Sequence, residues 1–235
     1  MNLAIDLGNS TVKMAYFKEG RLEGQILKPQ FNEVVGLYKK LIPTNTIISS
    51  VNQNPDELRS QLGDDVIILD HQTPLPIKNK YATPTTLGRD RIAAVVGAYI
   101  QQPKRNTLVI DVGSCITYDF INERAEYLGG GISPGIEMKL KAMHTFTAGL
   151  PLVTPNFEVN LVGDSTEKAL QSGAFIGTIA EIEEIIRMYN DKFSHLRIII
   201  CGGGAEIIGS RLKTRVEIQP ELVLMGLNGI LEYNV

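Results

Sequence analysis

A chain of 235 residues, 43% of them hydrophobic and 21% charged, can bury a core in one large domain or two small ones. Its formal net charge of −3 gives no pull towards nucleic acid or an anionic membrane, and the lack of Trp argues against stacking platforms for single strands. No apolar run approaches the ~20 residues a membrane helix needs, and the start reads as a strand carrying Asp6 rather than a signal peptide.

The predicted elements alternate between strands and helices. Residues 3–7, 13–18 and 21–28 read as three strands, with Gly20 marking a turn. A helix at 31–41 stops before Pro43. A strand at 46–51, a helix at 55–62 closed by Gly63, and a strand at 66–69 follow. After a proline-interrupted stretch comes an Ala/Val-rich helix at 90–100. The order then repeats. Strands are expected at 107–111, 115–122 and 125–132, and a helix from about 135, with Pro134 as its start signal. A long helix at 165–189, a strand at 197–201, a glycine turn, a short helix, a strand at 215–218 and a last helix from 220 complete the chain. This is an α/β pattern with buried parallel strands. The polar link 101–106, containing Pro103, places a boundary between domains 1–104 and 105–235.

The repeat is also visible in one motif. Ile5-Asp6-Leu7-Gly8-Asn9-Ser10 and Ile110-Asp111-Val112-Gly113-Ser114 both end an apolar run in a carboxylate, a glycine turn and small polar residues. Such a carboxylate can hold a hard cation, and the glycine lets backbone N–H groups approach an anion. Two copies point to a phosphate-bearing ligand and its metal between similar halves. In the first copy Gly8 to Thr11 could donate to phosphate oxygens, with Lys13 as a point charge. Read alone, either copy is also an ordinary hairpin turn.

Gly88-Arg89-Asp90-Arg91 opens a helix. Spacing alone favours Asp90 as a first-turn residue matched to the helix dipole, with exposed arginines. The chemical alternative makes Asp90 a general base and Arg91 a carboxylate clamp. Glycines 129–131 before Ser133-Pro134-Gly135 could bring backbone to a ligand or relieve a crowded crossing. A flat adenine or ribose could lie on the Cys201-Gly202-Gly203-Gly204 turn. The chain's two cysteines, Cys115 and Cys201, read as reduced, buried thiols of a cytoplasmic protein. His71, His144 and His195 have no triad or metal spacing. There is no P-loop, dinucleotide fingerprint or zinc motif.

Taken in order, the segments 6–13, 88–91, 111–114 and 129–135, and Thr166 in Gly163-Asp164-Ser165-Thr166, resemble type III pantothenate kinase over nearly the whole chain. That family belongs to the acetate kinase/sugar kinase/Hsp70/actin superfamily. The resemblance implies two ribonuclease H-like (actin-like ATPase) domains with a nucleotide cleft between them. It implies that Asp6, Leu7, Gly8, Asn9, Ser10, Thr11, Val12 and Lys13 form the ATP phosphate loop, with Asp6 near magnesium, through water. Tyr81, Gly88, Arg89, Asp90, Arg91 and Thr166 would bind pantothenate, and Asp90 would accept the proton. Asp111 would hold a monovalent cation, K+ or NH4+. Ser114 stands where the family usually has Thr against ATP, and Cys115 where it has Ala; the hydroxyl is kept. The expected reaction is ATP-dependent phosphorylation of pantothenate, the first step of coenzyme A biosynthesis, by a cytoplasmic homodimer joined through second-half helices. The competing readings are a nucleotide-binding transcriptional accessory factor of the same family without kinase activity, and a superfamily kinase for a sugar, acetate or another small hydroxyl or carboxylate substrate.

Overall fold

The computed structural model describes residues 1–9, 11–50, 55–63 and 65–235. Its elements follow the expected order. The first three strands are β1 (Asn2–Leu7), β2 (Val12–Lys18) and β3 (Arg21–Leu27). Glu19 and Gly20 join β2 to β3 with φ of 49° and 74°, the two positive values that a hairpin matched to strand twist requires. A single 3-10 turn leads into α1 (Val34–Leu41), which ends at Ile42 in the left-handed region, one residue before Pro43. Then come β4 (Asn45–Ser50), α2 (Pro55–Leu62), β5 (Ile67–Ile68), β6 (Lys78–Asn79) and α3 (Arg89–Gln101). Residue 51, expected to close the fourth strand, lies outside the described residues.

The repeat continues as β7 (Thr107–Val112), β8 (Cys115–Ile121), β9 (Glu126–Pro134), α4 (Ile136–Thr145), α5 (Thr166–Lys192), β10 (Arg197–Cys201), α6 (Ala205–Gly209), β11 (Glu217–Ile218) and α7 (Leu222–Asn234). Pro134 closes β9, and Gly135 is the residue that caps α4. The short β6 has no sequence signal. It exists because Lys78 and Asn79 pair in parallel with Glu126 and Tyr127.

Two compact units result. The first comprises Met1–Thr107, Asp119–Gly129 and Glu221–Val235, and the second Leu108–Tyr118 and Gly130–Pro220. The main break lies three residues beyond the polar link expected at 104/105, but two later segments also join the first unit. In the first unit a five-stranded sheet runs β3-β2-β1-β4-β5. Central β1 is buried along Leu3-Ala4-Ile5-Asp6-Leu7, while β3 at the edge is largely exposed. Leu3, Ile5, Leu7, Met14, Val34, Ile48 and Leu58 form the core on one side of this sheet. The six-stranded sheet runs β11-β10-β7-β8-β9-β6, and the second unit's core gathers Leu108, Ile110, Ile116, Phe175, Ile182 and Ile200.

Helix α7 returns to the first unit for a steric reason. Its backbone crosses α3 so closely that a Cβ on Gly226 would lie 1.7 Å from the Ala93 carbonyl oxygen, and one on Gly97 would lie 2.5 Å from that of Leu222. Polar groups then fix the register. Asn45 Nδ2 donates to Asn2 Oδ1 at 3.1 Å, and Asn2 Nδ2 donates to Asn228 Oδ1 at 3.0 Å, linking β4, β1 and α7. Overpacking at such a site costs about 1–3 kcal/mol. Gly226→Ala is therefore expected to lower the urea midpoint by an amount equivalent to at least about 1 kcal/mol; an unchanged midpoint would show that the crossing can relax.

Candidate active site

The first-unit site starts at the end of β1. Asp6 lies opposite Lys13 in the antiparallel pairing with β2 and opposite Ser49 in the parallel pairing with β4. Between the strands, Gly8 donates its N–H to the Thr11 carbonyl at 3.1 Å. The segment is thus the hairpin turn that either copy of the motif suggested when read alone. Ser10 lies outside the described residues. Leu7 and Val12 are buried at the roots of the loop, Asn9 and Thr11 are exposed at its rim, and Lys13 is half-buried.

Asp6 is 8% exposed, and its Oδ1 has no hydrogen-bond partner among the described residues. Burial raises its pKa to about 6. The nearby Asp90 charge adds to this, and Lys13 offsets part of it. A buried, orphaned carboxylate oxygen facing a glycine loop suits a hard cation. Among the described residues no three acidic, His or Cys side chains cluster to cage a metal.

Asp90 occupies the first turn of α3. Gly88 provides its room, since a Cβ there would lie 2.5 Å from Asp90 Oδ1. The same oxygen accepts the Arg91 N–H at 2.8 Å. Burial raises the Asp90 pKa and the Asp119 charge adds to it, against the Arg91 N–H and guanidinium, which favour the anion. The result is a carboxylate more basic than an exposed Asp, as a proton acceptor needs.

Arg91 is the main surprise of this segment. The spacing-based reading of two exposed arginines fails, because Arg91 is only 7% exposed. Its Nη2 donates to Asp119 Oδ1 at 2.7 Å, and its Nε to Oδ1 and Oδ2 at 3.0 and 3.2 Å. Burial opposes the guanidinium charge, but the Asp119 pair outweighs it and holds the pKa above the ordinary arginine value. Tyr127 donates its hydroxyl to Asp119 Oδ1 at 2.6 Å. The Tyr81 ring lies 5.6 Å from Arg91 Cζ and stacks on Tyr127 at 6.1 Å between centroids. Gly129, with φ of 94°, leaves Tyr81 its place, since a Cβ there would lie 3.0 Å from the ring.

The second loop, in the other unit, is built differently. Only Gly113 and Ser114 separate β7 from β8, and Gly113 donates its N–H to the Cys115 carbonyl at 2.9 Å. Gly135 donates to the Ser114 carbonyl at 3.1 Å, so α4 starts against this loop. Asp111 is half-buried beside Gly202, whose φ is 85° and whose missing Cβ would fall 2.2 Å from Asp111 Oδ1. Gly204 donates to the Val112 carbonyl at 2.9 Å, which ties the second glycine turn to the first. Seven residues after Asp111, the offset of Lys13 from Asp6, stands Tyr118, whose hydroxyl donates to Glu181 Oε1 at 2.8 Å. Lys139 binds the other Glu181 oxygen at 2.8 Å, so the nearby cation is already engaged.

Thr166 opens α5 and is exposed; the capping role belongs to Ser165, whose Oγ accepts the Lys168 N–H at 3.3 Å. His144 Nδ1 lies 2.8 Å from the Leu150 carbonyl, a structural contact. Cys115 and Cys201 are free thiols, but only Cys201 is fully buried.

A family model described as type III pantothenate kinase matches residues 2–188. The chain is 45% identical over 240 residues to a type III pantothenate kinase of Christiangramia forsetii, covering 100% of this chain and 99% of the relative. The chain belongs to the type III pantothenate kinase family. A second relative of that description, from Cytophaga hutchinsonii, is 40% identical, with 100% of each chain covered. Solved structures share the fold at low identity. A Campylobacter jejuni protein described as a Baf family transcriptional activator aligns with a TM-score of 0.67 at 21% identity, covering 99% of this chain and 98% of that one. A ROK family glucokinase from Streptomyces griseus aligns with a TM-score of 0.54 at 12% identity, covering 99% of each. The fold is thus the actin-like ATPase class expected from the sequence, and membership in a kinase family implies the use of ATP.

For a pantothenate kinase family member, the sequence missed Asp119 and Tyr127. The available signal was a carboxylate inside the apolar run 115–121, which only a buried partner could stabilise.

The Asp6 shift has a measurable consequence in the metal-free protein. Between the unfolded pKa near 3.8 and the folded value of about 6, the folded state binds the extra proton. Stability due to Asp6 is therefore greatest below about pH 4 and is lost as pH rises through 6, by about 3 kcal/mol in all. Asp6→Asn is expected to stabilise the metal-free protein at pH 8 and to lose that advantage at pH 4; equal advantage at both would rule out this account.

Proposed function

We propose that this chain transfers the γ-phosphoryl group of ATP to the primary hydroxyl of pantothenate, giving 4′-phosphopantothenate. Family membership supplies the reaction. The single observation that carries the chemistry is Asp90, a half-buried carboxylate of raised pKa, held in a Gly88 recess at the start of α3. The hydroxyl proton passes to Asp90 as the new O–P bond forms and the bond to the ADP oxygen breaks. There is little covalent work for the protein beyond this, so most of the rate comes from positioning and charge.

The other roles are those that the family resemblance implies. The loop 8–11 and Lys13 hold ATP phosphates, and Ser114 contributes its hydroxyl from the second loop. Gly88, Arg89 and Tyr81 line the pantothenate side, Arg91 steadies it while paired to Asp119, and Thr166 adds a hydroxyl. Asp6, with its orphaned oxygen, would hold magnesium, which when bound offsets phosphate charge. Asp111 would hold the monovalent cation, potassium or ammonium.

The active form is a cytoplasmic homodimer. Free thiols at Cys115 and Cys201 fit a reducing compartment. The segment before α5, at Leu161 and Gly163, and the helix itself, at Ala169, Gly173, Ile176 and Ala180, line a groove in which small residues would let another helix approach closely. Sedimentation at twice the chain mass is expected, and a monomer at micromolar concentration would contradict the assignment.

ADP release measured with pantothenate, a panel of sugars and acetate tests the substrate. Turnover is expected with pantothenate alone. In the same assay Asp90→Asn should lose roughly 100-fold or more in kcat without loss of fold. Near-normal turnover by that variant would remove Asp90 from the role of base.

A further inference from the structure

The geometry points to Asp119 as the positioning residue that sets the Asp90 carboxylate and the Tyr81 ring in place together. The inference rests on Asp90 as base and Tyr81 as a pantothenate contact. Asp119 is 1% exposed and lies in β8, far in sequence from both.

Its links to Arg91 and Tyr127 are direct. It binds Arg91 through three N–H···O contacts of 2.7–3.2 Å, taking the Nε and Nη2 edge of the guanidinium. Arg91 is the residue after Asp90, and its backbone N–H is the donor to Asp90 Oδ1. Fixing the Arg91 side chain therefore fixes the first turn of α3 against β8 and aims that N–H. On the other side, the same guanidinium lies 5.6 Å from the Tyr81 ring, and Tyr127, bound to Asp119 Oδ1 at 2.6 Å, stacks on Tyr81. One buried carboxylate thus orients both the acceptor of the proton and an aromatic wall for the molecule that loses it. Asp119 itself touches neither reactant in this scheme. A planar, bidentate Arg–carboxylate pair transmits orientation, which a single point contact would not.

The test uses the full chain with Asp119→Asn, which keeps shape and loses charge, and Tyr127→Phe, which loses one hydroxyl. ATP and pantothenate are varied in turn, and circular dichroism reports the fold. In Asp119→Asn, kcat/KM for pantothenate should fall roughly 100-fold, the cost of a misplacement of about 1 Å. In Tyr127→Phe the fall should be roughly 3- to 10-fold, as expected for one lost hydrogen bond. KM for ATP should stay within about twofold in both, because the phosphate loops lie outside the network. Unchanged pantothenate kinetics in a folded variant, or equal losses for ATP and pantothenate, would overturn the proposal. If Asp119→Asn fails to fold, Tyr127→Phe decides by the same criteria. Asp90→Asn, run beside them, separates the two claims. If it stays active while Asp119→Asn is impaired for pantothenate, the base assignment falls and the hold of Asp119 on the Tyr81 side stands. If it is dead while Asp119→Asn is normal, the base stands and the positioning role falls.

Discussion

The buried pair of Arg91 and Asp119 is the constraint on which the candidate site depends. Taking two charges out of water is costly, and only good geometry with further hydrogen bonds repays it. Here the guanidinium uses two nitrogens, the carboxylate uses both oxygens, and Tyr127 adds another donor. Removing one partner of such a pair leaves an uncompensated charge, at a cost of roughly 3–5 kcal/mol. The pair therefore adds little to stability compared with an apolar core, but it punishes any arrangement in which α3 sits elsewhere on the sheet.

Around that pair the protein crowds like charges. Burial is the main cause of the raised pKa values of Asp6 and Asp90; the Asp90 charge adds to it at Asp6 and the Asp119 charge adds to it at Asp90, while Lys13 and Arg91 compensate only in part. Carboxylates held in such surroundings favour a positive partner. The missing side chains at Gly88 and Gly202 have the same logic, since each leaves space that a carboxylate oxygen occupies.

Much of this was legible in the sequence, and the failures have physical causes. The doubled carboxylate–glycine turn announced two similar halves, because buried parallel strands read as apolar runs and their ends as breaks. The strand order, the helix ends at Ile42 and Gly63 and the long α5 followed from local signals. Arg91 could not be read, since an arginine at a helix start looks solvated until its partner is known, and Asp119 lies a strand away in another part of the chain. The two-residue β6 was equally hidden, being created by pairing and not by propensity. The second loop differs from the first for a reason the motif conceals. Two residues span it where four span the other, so counting from the aspartate does not bring equivalent positions of the second strand together.

The close crossing of α3 and α7 bears on how the molecule is made. Strands β1 to β5 and helix α3 leave the ribosome early, yet the surface that α7 covers on β1 and α3 stays open until the whole second unit has been synthesised. The first unit is thus begun first and completed last. Its nascent form carries an exposed apolar seam along Ala93, Gly97 and Ile100, and the chain must keep that seam from other partners during translation.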